Sequence, residues 1–260
     1  MLWSTIELTI EGRLARLTMN RPDSMNAMDD IMMKELADAF ESLASNDEVQ
    51  VLIINGAGRT FSAGGDIKKM IDPNTPMDIG EVMIDVSRLA KALYRLPQIT
   101  IAAIHGSAAG LGFSLALGCD VIIAEENSKL AMNFIGIGLI PDGAGHFFLK
   151  ERIGVPQALQ LIWSGEVMNA QAAKGKRLVD EVVPDGSVGQ ASAMLAQKFL
   201  SAPIAAMIAS KKILHEQKLS ELDNVLHMES EQQVAMRKTK DHLEGINAFV
   251  EKRKPAFVGE

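Results

Sequence analysis

The chain has 260 residues, 47% of them hydrophobic and 23% charged, and a formal net charge of −7. That length buries a substantial core around one main domain, and that composition excludes a disordered or fibrous chain. The acidic balance argues against nonspecific nucleic-acid binding, which depends on counterion release by basic patches, and an anionic ligand would have to be met by local lysines and arginines.

From Thr5 to Ile10 and from Leu14 to Met19 apolar residues alternate with polar ones, and Glu11-Gly12 between them is a turn signal, so the chain opens with a predicted β-hairpin. Asn20-Arg21-Pro22-Asp23 breaks the pattern. Asp29 is a candidate N-cap for an amphipathic helix carrying Met33, Leu36, Ala37, Phe40 and Leu43. Val49 to Asn55 reads as a buried strand, and the Gly-rich segment Gly56 to Asp66 runs into a short helix containing Ile67 and Met70. Asp72 to Pro76 reads as a mobile surface loop, placed to cover a site, before a helix over Glu81 to Leu93. Ile99 to Ile104 is the next buried strand. The small-residue run Gly106 to Gly112 then opens a helix from Phe113 to Gly118, followed by a strand at Val121 to Ala124. This recurrence of strand, strand and helix, with Gly-rich corners in equivalent places, predicts an α/β fold.

After about Val188 the texture becomes almost continuously helical, through Met194, Leu195, Lys198 and Phe199, then Met207 to Leu214, then Leu222 to Met236. Pro184-Asp185-Gly186 is the expected joint, dividing a core domain at 1–186 from a helical part at 187–260. Methionine-rich helical faces predict an oligomer. No run approaches the roughly 20 apolar residues of a membrane span, and Met1 to Glu11 lacks the basic start and apolar run of a leader. The expectation is a cytoplasmic protein without a membrane partner. The single cysteine, Cys119, has no activating base near it in sequence and reads as a buried structural thiol.

Two segments carry the chemistry, Phe61-Ser62-Ala63-Gly64-Gly65-Asp66-Ile67 and Ala103-Ile104-His105-Gly106-Ser107-Ala108-Ala109-Gly110-Leu111-Gly112, the second running on to Cys119-Asp120. Each follows a buried strand and opens a helix, which leaves free N–H groups at the helix start. Glycines there also serve tight turns and close packing alone. Together with Asn20-Arg21-Pro22, Asn26-Ala27-Met28, Gly138-Leu139-Ile140-Pro141-Asp142-Gly143 and the ending Phe249 to Phe257, these segments resemble the enoyl-CoA hydratase/isomerase, or crotonase, family over nearly the whole chain.

The resemblance implies a crotonase-like spiral of ββα repeats, a C-terminal region at 187–260 that forms trimers or pairs of trimers, and an acyl-CoA thioester substrate with no cofactor beyond its coenzyme A moiety. It places backbone N–H donors at Ala63 and Leu111 on the thioester carbonyl oxygen, where an enolate would carry negative charge. Coenzyme A contacts are implied at Ala27, Met28, Ala63, Gly65, Asp66, Ile67 and Gly110, with Phe134 on the acyl group. Lys68 is either a phosphate partner or a solvated charge. Lys252 and Arg253, beside Phe249, are expected to reach a cofactor bound by a neighbouring subunit. No metal site is expected, because the histidines and acids lack ligand spacing.

Family hydratases activate water with two glutamates, which would fall at positions 114 and 134. Here those positions hold Ser114 and Phe134, and neither can act as a carboxylate base. A carboxylate appears instead at Asp142, as in family isomerases that move a proton along the acyl chain with one base. A Pro-Asp-Gly triplet is also an ordinary turn, so Asp142 keeps both readings. His146 either assists it or covers the helix surface, His105 is expected to satisfy a backbone group, and Asp66 and Asp120 are expected to brace loops.

Overall fold

A computed structural model describes residues 3–70 and 78–260. The expected loop at Asp72–Pro76 lies outside the described residues. The opening hairpin is β1 (Ile6–Glu11) and β2 (Leu14–Met19), paired from Ile6 opposite Met19 to Glu11 opposite Leu14. Gly12 turns it with φ +59°. Next come helix α1 (Asp30–Ala44), capped by the Asp29 carboxylate on the Met32 N–H at 2.9 Å, and strand β3 (Val51–Gly56). A short helix α2 (Ile67–Met70) follows, then α3 (Ile79–Tyr94) and β4 (Ile99–Ile104). Helix α3 begins two residues before the periodicity suggests, because the Asp78 side chain accepts the Gly80 N–H at 2.8 Å.

The middle of the chain alternates short pieces: β5 (Ser107–Ala109), α4 (Leu111–Leu117), β6 (Val121–Glu125), β7 (Lys129–Ala131), a 3-10 turn at Asn133–Ile137, and α5 (Gly145–Ser164). Then come β8 (Val167–Asn169), α6 (Ala170–Gly175) and β9 (Glu181–Val183), and four helices end the chain: α7 (Val188–Leu200), α8 (Ile204–Glu216), α9 (Leu219–Met236) and α10 (Lys240–Val250).

One sheet runs β1-β2-β3-β4-β6-β9, parallel except for the opening hairpin, and a smaller one runs β5-β7-β8. The parallel strands are apolar at nearly every position because both faces are covered. Val51, Ile53, Ile99, Ile101 and Ile123 point to one side, where Val188 and Ala196 of α7 and Ile204 of α8 meet them. Leu52, Ile54, Ala102, Ile104 and Ile122 point to the other, into the core shared with α1 and α3. Helix α1 packs on α3 and α3 on α9, so the late helices close both sides of the fold. Among the described residues no single helix is long and apolar enough to cross a membrane.

Candidate active site

At the end of β3 the chain turns through Gly56, where a Cβ would stand 2.3 Å from the Thr60 carbonyl oxygen. Residues 61–66 then form a strip wedged between two others. On one side Ser62 donates its N–H to the Ser107 oxygen at 3.0 Å, and Ala109 returns an N–H to the Ser62 oxygen at 3.1 Å. On the other side Met28 donates to the Gly64 oxygen at 2.7 Å, and Asp66 donates to the Met28 oxygen at 3.0 Å. Gly64, at φ +94°, bends the strip where a Cβ would lie 2.6 Å from the Ala109 oxygen and 3.4 Å from the Leu111 nitrogen. The two Gly-rich segments are therefore brought side by side.

This pairing decides which N–H groups are left for a ligand. The expected donor at Ala63 is not one of them: its N–H is given to the Met25 carbonyl at 3.0 Å. The backbone nitrogens of Gly65 and Leu111 make no hydrogen bond among the described residues, and both residues line a cavity of about 350 Å³. Helix α4 starts at Leu111, two residues before the sequence pattern suggests, and this makes the Leu111 N–H the first orphan donor of its helix. Gly110 before it has φ +51° and ψ −126°, a conformation that suits glycine. A Cβ on Gly110 would touch the Phe134 ring at 3.6 Å.

Asp142 lies in the same cavity, 9% exposed. Burial pushes its carboxyl up to about 7, partly opposed by a hydrogen bond from Gln233. Gln233 Nε2 donates to Asp142 Oδ2 at 3.0 Å and to the Ile140 oxygen at 3.1 Å, pinning the turn from α9. Asp142 Oδ1 is buried without a partner among the described residues. Two further carboxylates line the cavity, and both are engaged. Asp29 caps α1 and pairs with Arg21 and Lys69, while Asp66 pairs with Arg21 at 3.1 Å. The loop-bracing reading of Asp66 agrees with this, as does that of Asp120, which accepts from Thr100 and Lys211.

Ser114 is fully buried and does not line the cavity. A Cβ on Gly145 would lie 2.9 Å from its Oγ and one on Gly143 would lie 3.4 Å from its Cβ. The turn that carries Asp142 thus fills the space a longer side chain at position 114 would need. Phe134 does line the cavity, with Met28, Met33, Met83, Leu111 and Leu139. Such a wall suits an apolar chain, and its methionines can adapt to shape.

Of the other expected contacts, Met28, Ala63, Ile67 and Phe249 line the cavity, whereas Ala27, Lys68 and Lys252 stand outside it. Arg253 is held by Glu244 and Glu251 of its own chain, which clamps the C-terminal tail. His105 bonds the Gly58 carbonyl at 3.1 Å, as expected of a backbone-satisfying group. Cys119 is buried and its thiol is pushed up to about 12, by burial first.

Residues on α9 completed the site without having been singled out in the sequence. Glu229, 2% exposed, accepts the Ala144 and His146 N–H groups at 2.8 and 3.1 Å and bonds His146 Nδ1 at 2.8 Å. It thereby caps α5 from a distance and holds the His146 ring, which does not line the cavity. Gln233 and Arg237 follow at helical spacing and line the cavity. The signal was available: these polar residues continue the buried stripe begun by Leu222 and Leu226.

The enoyl-CoA hydratase/isomerase family model matches residues 9–260. YhaR of Bacillus subtilis, provisionally called an enoyl-CoA hydratase/isomerase, is 43% identical over 97% of this chain and 98% of its own. The 1,2-epoxyphenylacetyl-CoA isomerase of Escherichia coli is 33% identical over 96% of this chain and 97% of its own. A crystal structure of an enoyl-CoA hydratase from Mycobacterium avium subsp. paratuberculosis superposes with a TM-score of 0.89 at 33% identity, covering 99% of this chain and 100% of that one. The ββα architecture, the paired Gly-rich strips and the matched length agree, and the chain belongs to the enoyl-CoA hydratase/isomerase family.

Proposed function

We propose that the protein is an enoyl-CoA isomerase, shifting a Δ3 double bond to Δ2 with Asp142 as the base. The observation that carries the reading is a single uncommitted carboxylate in a cavity that also presents two free backbone N–H groups, among the described residues. The thioester carbonyl oxygen accepts from the Gly65 and Leu111 N–H groups. Asp142 Oδ1 removes a proton from C2, the electron pair moves into a dienolate whose oxygen charge those donors stabilise, and the proton is returned at C4 as the double bond settles between C2 and C3. A carboxyl near pKa 7 is matched to taking and returning a proton at neutral pH. No cofactor beyond the coenzyme A moiety of the substrate enters this scheme. The Escherichia coli relative is named an isomerase of an epoxyacyl-CoA, which supports isomerisation of an acyl-CoA in general.

Hydratase names among the relatives favour a second reading, addition of water across a Δ2 double bond. That chemistry uses a second carboxylate, and position 114 is walled off while position 134 is phenylalanine. Assaying a 3-enoyl-CoA and crotonyl-CoA side by side separates the two. The isomerase proposal requires turnover of the first that is lost in Asp142→Asn; rapid hydration of crotonyl-CoA that survives this change would sink it. Exposed Met194, Ile213 and Leu214 on the late helices support self-association; the proposed assembly is a homotrimer or a pair of trimers in the cytoplasm, its subunit count checked by light scattering.

A further inference from the structure

The buried face of α9 turns polar toward its C-terminal end: Glu229 caps α5, and Gln233 donates to Asp142 and Ile140 while its own Oε1 stays buried without a partner among the described residues. Arg237 is different. Its Nε is buried with no hydrogen-bond partner, and the guanidinium has no ion pair among the described residues, although the side chain lines the cavity. Burial lowers its pKa, and the attraction that opposes this is the charge of Asp142. His242 also faces it, but burial pulls that imidazole below its ordinary value and its Nδ1 bonds the Ile137 oxygen at 2.8 Å, so it supplies no negative charge. Asp142 ceases to be an anion whenever it accepts a substrate proton. A guanidinium cannot shed its own charge to compensate, and a partly buried cation left without a counter-charge is costly. A neutral oxygen would satisfy an N–H but leave the charge; a carboxylate would satisfy both.

We infer that Arg237 reads a carboxylate on the acyl chain, so that the substrate class is the mono-thioester of an unsaturated dicarboxylic acid with coenzyme A. The inference rests on the acyl-thioester reading of the cavity given above. The guanidinium holds the far carboxylate, the Gly65 and Leu111 N–H groups hold the thioester oxygen, and the chain between them passes Asp142. Plain fatty acyl chains lie in the same apolar walls and leave Arg237 unpaired.

The test uses saturated thioesters, which have no double bond to move, so affinity is read independently of whether Asp142 is a base. Titration calorimetry compares glutaryl- with pentanoyl-CoA, adipoyl- with hexanoyl-CoA and suberoyl- with octanoyl-CoA. In at least one pair the dicarboxylic thioester is expected to bind wild-type protein about 100-fold tighter. Arg237→Met should bring that ratio close to one, and Arg237→Lys should leave it in between. Equal affinities within every pair overturn the inference with no variant needed, and so does a preference that persists in an Arg237→Met protein whose melting curve shows it folded. Failure of every thioester to bind would overturn the acyl-thioester reading itself, and this inference with it.

Discussion

Replacing Asp142 by Asn should make the protein more stable at pH 8 while removing its activity. The folded carboxyl sits near 7 against an ordinary value of 3.8, chiefly because burial penalises the charged form. Below about pH 4 the carboxyl is protonated in both states and costs nothing. Between about 4 and 7 the unfolded chain releases the proton and the folded chain keeps it, so stability falls as pH rises, and above 7 the full penalty remains. That difference corresponds to about 4 kcal/mol, an upper bound since the cavity relaxes. Asparagine keeps an oxygen to accept from Gln233 Nε2 and carries no charge. Urea unfolding of wild type and Asp142→Asn at pH 4.5 and 8 should show a gain of about 2 kcal/mol or more at pH 8, falling to about a quarter of that at pH 4.5. The kcat/KM of the wild type for a 3-enoyl-CoA should rise with pH through about 7 as the ionised base accumulates, and the variant should lose about 100-fold or more. An equal stability change at both pH values, or a flat rate profile, would refute both the burial and the role of Asp142.

Gly64→Ala should lower kcat about 100-fold or more, because a Cβ at φ +94° meets the Ala109 oxygen and crowds the Leu111 nitrogen, moving one carbonyl donor off line; unchanged kcat would remove the two N–H groups from the mechanism. Ser114→Glu should not create a hydratase: the carboxylate would be forced against Gly143 and Gly145, destabilising the fold by about 3 kcal/mol in urea unfolding, with no water added to crotonyl-CoA.

The sheet and its order of elements were legible because buried parallel strands such as Val51–Gly56 and Ile99–Ile104 are apolar at nearly every position, and because Asp29 caps the next helix in a recognisable place. The three-residue strands β5, β7, β8 and β9 were not, since three residues hold too little alternation to read. The donor at Ala63 missed by two residues for a geometric reason. A motif of small residues says that backbone approaches a ligand, but which N–H is free depends on which carbonyls lie alongside. Ala63 and Asp66 both donate toward the 25–28 segment, a parity a regular strand forbids, and the left-handed Gly64 between them makes it possible and leaves the Gly65 N–H over. Arg237 was hidden differently: it lies far along the chain from both Gly-rich strips and enters the cavity only because α9 packs on α3.

The way Asp142 is held bears on the path of the proton. Gln233 occupies Oδ2 and anchors the adjoining Ile140 carbonyl, so the turn cannot swing freely and Oδ1 is the oxygen left to act. One oxygen on one side of the acyl chain must serve both C2 and C4, which requires removal and return on the same face. Oδ1 is also shielded from solvent, so a proton taken from C2 has little chance to exchange before it is returned. With a 3-enoyl-CoA deuterated at C2, part of the label should therefore reappear at C4 of the 2-enoyl product in ordinary water, measured by NMR of the product after a single turnover. Complete replacement of the label by solvent hydrogen would mean that the proton exchanges with water or passes to a second base before its return, and the shielded direct transfer through Oδ1 would fall.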